Sequence, residues 1–327
     1  MRDFSYLRPS SVEEAKQAAV QSGAVLLAGG TTLLDLAKCG VAEPELVIDI
    51  THLSGLSEIT ADDVGVTIGA LAKMAVVADH EGIRSSYPAV AQSLSLAASP
   101  QLRNMATIGG NLLQRTRCPY FREPGAFAAC NKRNPGSGCS AIGGVTRNHA
   151  VLGTSESCIA SYPGDLAVAL LAFDASINLG ERKVAIEEFF LQPGATPEKE
   201  TVLERGEMIT AVTIPGSEAA RNSIYLKVRD RQSYEFAAAS AAVGIEFETD
   251  DRTVRDIRIA LGGVATKPWR ARSVEAALIG KVLDVKSVET ASQLAVEGAV
   301  SHGDNQYKTR LAPRVIARAI LTVGGLL

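Results

Sequence analysis

Four cysteines, Cys118, Cys130, Cys139 and Cys158, crowd into one glycine- and proline-rich part of a 327-residue chain. Their spacing is C-x11-C-x8-C-x18-C. It contains no C-x-x-C pair of the kind zinc ribbons and fingers normally present, and no ferredoxin-type run. Loops can still bring thiolates together, and four soft ligands suit zinc or an iron–sulfur cluster. Between positions 101 and 150 stand Arg103, Arg115, Arg117, Arg122, Lys132, Arg133 and Arg147 against the single acid Glu123, in a chain whose formal net charge is −3. Such a basic window suits an anionic metal–thiolate centre, the phosphates of a nucleotide, or an exposed docking face for an acidic partner. His149 is a rival ligand, although a lone loop histidine is ordinarily only polar. The fifth cysteine, Cys39, reads as a buried small hydrophobe.

A second chemistry is written in glycines. LAGGTTLL (Leu27–Leu34) places Ala28, Gly29, Gly30, Thr31 and Thr32 between a strand pattern and a helix pattern that includes Leu33 and Leu34. Glycine permits close backbone approach and positive φ, and amides at a helix start favour an anion. A ligand-free tight turn has the same composition. The spacing is neither G-x-G-x-x-G nor a P-loop. A second turn of the same character, ATIGGNLLQ, holds Thr107, Gly109, Gly110 and Asn111. Two such turns together suggest a dinucleotide held between two subdomains. Elsewhere, Asp165 before LAVALLAF reads as a helix N-cap, and Lys227 as a solvated strand lysine.

The elements that must position these residues follow from periodicity. SSVEEAKQAAVQSG is a helix with a serine cap and a glycine stop. AVLLAGG, TTLLDLAKCG and LVIDI form a β-α-β unit. VTIGA is a strand, MAVVADHEGI a short helix, YPAVAQSLSLAA a longer one, and AVTIP a strand. A boundary falls near PGSEAARN. Beyond it, SIYLKVRDRQSYEFAAASAAVGIEFE and VRDIRIALGGVA read as strands, and three helical patterns finish the chain. The class is α+β, with domains expected at 1–216, including a cysteine loop over about 115–160, and 217–327. Composition is ordinary for a soluble chain, with 46% hydrophobic residues. No apolar run spans a membrane, and neither membrane nor nucleic acid is expected as a partner. The N-terminus lacks a secretory signal pattern, so the cytoplasm is the direct expectation.

AGGTTLLDL, TIGGNLLQ, PGD at 163–165 and KVRDRQSYEFA at 227–237 occur in that order, and together the chain resembles the FAD-binding subunit of the molybdenum hydroxylases. That family includes xanthine dehydrogenase, carbon monoxide dehydrogenase and aldehyde oxidoreductases. The cysteine insertion after the second glycine turn is similar to that of the flavin subunits of bacterial periplasmic aldehyde oxidoreductases, and 4-hydroxybenzoyl-CoA reductase has a comparable insertion. The resemblance implies a two-subdomain FAD-binding fold of the vanillyl-alcohol-oxidase/PCMH type, followed by a domain of the CO dehydrogenase flavoprotein type. It implies that Ala28 to Leu34, with Thr107, Gly109, Gly110 and Asn111, cradle the FAD pyrophosphate. Asp165 would lie near the adenosine part, Ile209 would touch the flavin side, and Lys227 would stand by the isoalloxazine, where its charge would favour the anionic reduced ring. It also implies a [4Fe–4S] cluster on Cys118, Cys130, Cys139 and Cys158. The implied partners are a large molybdenum-cofactor subunit and a small [2Fe–2S] subunit, and electrons would pass through this chain to a terminal acceptor. No molybdenum-site motif and no [2Fe–2S] pattern is present, which fits a subunit. Co-export to the periplasm with a signal-bearing partner is a further implication. The rival is a stand-alone FAD reductase with a structural zinc loop.

Overall fold

A computed structural model describes residues 1–62, 64–250 and 252–327. Three sheets organise the chain. The first is parallel, with strands Ser5–Leu7, Leu46–Asp49 and Ala24–Leu27 in that spatial order. Ala24–Leu27, helix Leu33–Lys38 and Leu46–Asp49 form the expected β-α-β unit. The second sheet is five-stranded and antiparallel, running Ile59–Ala61, Gly65–Gly69, Ala211–Pro215, Ser176–Asn178 and Lys183–Ala185. The third has four antiparallel strands, ordered Trp269–Arg270, Val254–Gly262, Ala239–Phe247 and Ser223–Val228.

The helix Leu166–Ala172 has every residue buried. It is apolar all round, as a helix wedged between layers must be. It joins the core of the second sheet and packs against Ala239–Phe247 and Val254–Gly262 of the third. Helices Arg272–Leu278, Val285–Ser292 and Tyr307–Val323 cover the other face of the third sheet. Among the described residues, no helix is long and apolar enough to cross a membrane.

Three local expectations change. The helix expected over MAVVADHEGI is two, Met74–Asp79 and Glu81–Ser86, because His80 adopts extended backbone at φ −65° and ψ 123°. The segment after Ser292 continues as a 3-10 turn over Gln293–Val296. Cys39 is exposed, not buried. It caps a helix that buries only Leu36 and Ala37, and the chain has turned to the surface by the time it reaches Cys39.

Candidate functional site: a cleft between two glycine turns and a neighbouring thiol pocket

The two glycine turns meet. A Cβ on Gly29 would land on the carbonyl oxygen of Met105, so backbone packs on backbone where the first turn touches the segment leading into the second. Gly30 has φ +72°, a left-handed conformation that glycine adopts without steric cost. The second turn is pinned by Gly109 N–H donating to the Ala70 carbonyl at 2.8 Å and Ile108 N–H to Ala72 at 3.0 Å. Replacing Gly29 with Ala forces the turns apart. The expected result is a folded chain with at least tenfold weaker FAD binding, a loss of about 1.4 kcal/mol or more, measured by fluorescence titration of the apo-protein.

A cleft opens along this seam. Thr31 and Thr32 line one wall. Ala98, Gly110 and Asn111 line a second, and Asp165 sits at the back. Arg231, Tyr234, Glu235 and Phe236, from the loop after Ser223–Val228, close the third side. Thr32 begins its helix without using its side chain as a cap, so the hydroxyl is free. Asn111 Oδ1 is buried and has no partner, although such atoms almost always have one. Among the described residues only Ala98, Asp174 and Tyr234 are non-glycines with positive φ, and two of these three stand in the cleft wall. Backbone strain of this kind concentrates at functional sites. The free Thr32 hydroxyl and the guanidiniums of Arg117 and Arg231 offer donors of the kind FAD's diphosphate requires, while the orphaned Asn111 oxygen can accept from a ligand hydroxyl.

Not every expected residue reaches the cleft. Thr107 is buried, and its hydroxyl accepts the Gly110 N–H at 3.3 Å as a helix cap. Gly109 lies against Ala70. Ala28, Gly29, Gly30, Leu33 and Leu34 shape the first turn rather than line the cavity, and Ile209 is buried in the core of the second sheet. Asp165 makes no cap bond. Its carboxylate instead accepts from Lys227 at 2.7 Å and from the Tyr225 hydroxyl at 2.8 Å. Lys227 is no solvated lysine; its side chain is 1% exposed, against 5% for Asp165. A 2.7 Å ion pair cannot mark both the adenosine and the ring end of one extended cofactor, so those two expectations give way to a single buried unit. Asp165 also balances the Lys227 charge, which removes the simple Coulomb argument for Lys227 alone. Burial pushes the Asp165 carboxyl up, against the opposing pull of Lys227 and Tyr225. Lys227 and Arg229 both donate to the Leu96 carbonyl, at 3.2 and 2.8 Å. Leu96 ends helix Pro88–Ser95, where cations are favourable. This ties the third sheet to the cleft wall.

The four cysteines are free thiols and line one small cavity beside Phe121 and Lys132. Cys130 and Cys139 face each other across an antiparallel bridge. The Asn131 N–H donates to the Gly138 carbonyl at 2.7 Å and the Ser140 N–H to Ala129 at 3.0 Å, which holds that bridge. Among the described residues, no group of three or more His, Cys, Asp or Glu is arranged to hold a metal ion. The four thiols converge on this one small cavity, a donor set that suits zinc and iron–sulfur centres alike. Burial pushes the Cys118 thiol up to about 12 and raises Cys158, so without a bound cation both are protonated.

The basic window is not an exposed docking face. Arg115 and Lys132 pair with Glu200, Arg117 and Arg122 with Asp35, and Arg147 with Asp230. Arg103 donates to the Ala97 carbonyl. Arg133 donates to the carbonyls of Tyr120, Phe121, Phe127 and Ala128, and so laces the cysteine loop together. Arg117 also stacks on Phe236 at 4.9 Å and lines the cleft.

His149 is buried, with Nε2 3.2 Å from Cys118 Sγ. Burial, then the Lys308 charge, lowers it to about 4 from an ordinary 6.5. The unfolded chain therefore takes up this proton near pH 6.5 and the folded chain only near 4. The stability is present above 6.5 and is lost as pH falls through that window. Between pH 7 and 5 the loss is about 2 kcal/mol. Urea titrations at the two pH values should show it in the parent, and should show that much less of it in His149→Leu.

Residues 2–217 match the FAD binding domain in molybdopterin dehydrogenase, and residues 224–323 match the CO dehydrogenase flavoprotein C-terminal domain. The chain belongs to the FAD-binding subunits of the molybdenum hydroxylase family, and is an FAD-binding oxidoreductase subunit with that family's two-part fold. It is 42% identical to the aldehyde oxidoreductase FAD-binding subunit of Escherichia coli (strain K12), with 98% of each chain covered. It is 27% identical to the glyceraldehyde dehydrogenase medium chain of Sulfolobus acidocaldarius, over 96% of this chain and 95% of that one. Among solved structures, a carbon monoxide dehydrogenase from Hydrogenophaga pseudoflava superposes with a TM-score of 0.77 at 27% identity, over 99% of this chain and 98% of that one.

Sequence reasoning missed Tyr225, Arg231, Tyr234 and Phe236 as parts of the site. All but Tyr225 lie inside KVRDRQSYEFA, whose mix of charge and aromatics interrupting a strand pattern was the available signal.

Proposed function

We propose that this chain is the FAD- and [4Fe–4S]-carrying electron-transfer subunit of a heterotrimeric, molybdenum-containing aldehyde oxidoreductase. It receives electrons from partner [2Fe–2S] centres and delivers them to a terminal acceptor. The reading rests on one observation above the rest: four free thiols line a single small cavity, and one of them, Cys118, also lines a pocket that shares its wall with the cleft, in a chain 42% identical to an aldehyde oxidoreductase FAD-binding subunit. Bound FAD and a bound cluster supply redox chemistry that no side chain here has. The chain's own contribution is placement. Thr31, Thr32, Gly110 and Asn111 hold the cofactor from the glycine turns, Asp165 meets it from behind, and Lys227 with Tyr225 fixes the direction of that carboxylate. Tyr234 and Phe236 shield the cleft from water. Cys118, Cys130, Cys139 and Cys158 ligate the cluster. The domains divide as 1–216 and 217–327. The substrate is oxidised on a large molybdenum-bearing partner, and the assembled complex is exported to the periplasm through a signal on a partner.

The test is to tag the chain in its native host, purify it gently and identify what accompanies it. A large molybdenum-bearing chain and a small [2Fe–2S] chain, with aldehyde-reducible flavin and recovery in the periplasmic fraction, are the expected results. A chain that purifies alone, carries FAD and is reduced directly by a small donor overturns the assembly.

A further inference from the structure

Neither the fold nor the four-thiol hollow requires a buried histidine on one cysteine. His149 is 3% exposed, with its ring 5.9 Å from that of Tyr120, and its Nε2 points at Cys118 Sγ across 3.2 Å. Its other ring nitrogen, Nδ1, is buried with no partner. Cys118 lines a second pocket as well. It and His149 line a pocket that Arg117, Pro163, Asp165, Glu235 and Phe236 share with the cleft.

Resting on the cluster reading, we infer that His149 is a positioning residue of the cluster site, donating its Nε2–H to the sulfur of Cys118 and thereby raising the cluster's reduction potential. A metal-bound thiolate has no proton and only accepts. The hydrogen therefore belongs on Nε2, and the unpartnered Nδ1 is the lone-pair atom. An N–H directed at a ligating sulfur withdraws charge from it and stabilises the more negative, reduced centre. Among the described residues only Cys118 has a side-chain donor of this kind on its sulfur, so the effect falls on the corner facing the pocket shared with the cleft.

The experiment uses the FAD- and iron-loaded full chain and compares His149→Leu with His149→Gln. Leu keeps bulk without a donor, while Gln keeps an N–H within reach. FAD, iron and sulfide contents report folding and loading, and a redox titration followed by paramagnetic resonance reports the cluster potential. His149→Leu should keep FAD and cluster while the cluster potential moves negative and the flavin potential stays put. His149→Gln should recover part of the shift. In the parent labelled with 15N-histidine, the reduced cluster should show a weak nitrogen coupling that His149→Gln abolishes. This last readout decides the matter even if the Leu variant loads no cofactor. An unshifted potential in a loaded Leu variant, or no nitrogen coupling in the loaded parent, overturns the role of His149 alone. A parent without iron and sulfide overturns the cluster reading on which it rests.

Discussion

In a Cys130→Ser chain, iron and acid-labile sulfide should fall from about four of each per chain, the content of a [4Fe–4S] centre, to a small fraction, while FAD is retained. Cys130 is buried against Leu36 and Phe121 and bridges Cys139, so its sulfur is not replaceable by a solvent ligand. Serine is a harder donor, unsuited to iron–sulfur chemistry. Stability should fall too, because the loop from 118 to 158 is largely irregular, is held by Arg133 and the backbone bridge between Cys130 and Cys139, and would lose the proposed cluster as a further cross-link. FAD should remain because the cleft is built from other residues. Metal and flavin analysis on one sample checks both halves. A Cys130→Ser chain with full iron and sulfide would remove Cys130 from the ligand set.

Lys227→Met should destabilise the chain by roughly 3–5 kcal/mol, because breaking a buried ion pair leaves an uncompensated charge. Asp165 is then stranded at the back of the cleft with Tyr225 as its remaining side-chain donor. The melting temperature should drop by roughly 5–10 °C, and FAD affinity should fall as the carboxylate loses its fixed direction. A paired replacement, Lys227→Met with Asp165→Leu, should recover most of the stability, since apolar substitution of a whole buried pair is often neutral. It should not recover FAD affinity, because the group facing the cleft is gone. Calorimetry and FAD titration on the three chains separate the effects. A single Lys227→Met chain as stable as the parent would contradict the burial argument.

Much of this site was legible because its parts are local in sequence. Each glycine turn is one short run between a strand and a helix, and the structure brings the two runs into contact at Gly29 and Met105. The cysteines announce themselves by type and crowding. What escaped notice is long-range. Lys227 and Asp165 lie 62 positions apart, and His149 and Cys118 lie 31 apart, with no periodicity to link them. The basic window left a metal–thiolate centre, nucleotide phosphates and a docking face all open, because the arginines' partners Asp35, Glu200 and Asp230 are distant in sequence. Strands Ser5–Leu7, Ile59–Ala61 and Lys183–Ala185 have three residues each, too few for alternation to register. They exist because a neighbouring strand offers hydrogen bonds. The extended backbone at His80 that divides MAVVADHEGI into two helices left no mark in the apolar pattern.

On the proposed reading, one chain carries both a flavin and a four-iron cluster. The most direct measurement is the absorption spectrum of anaerobically purified chain before and after dithionite, with FAD, iron, zinc and sulfide assayed on the same sample. The account predicts one FAD with about four iron and four sulfide per chain, and a broad shoulder under the flavin bands that bleaches on reduction. Flavin with stoichiometric zinc and no sulfide would contradict it.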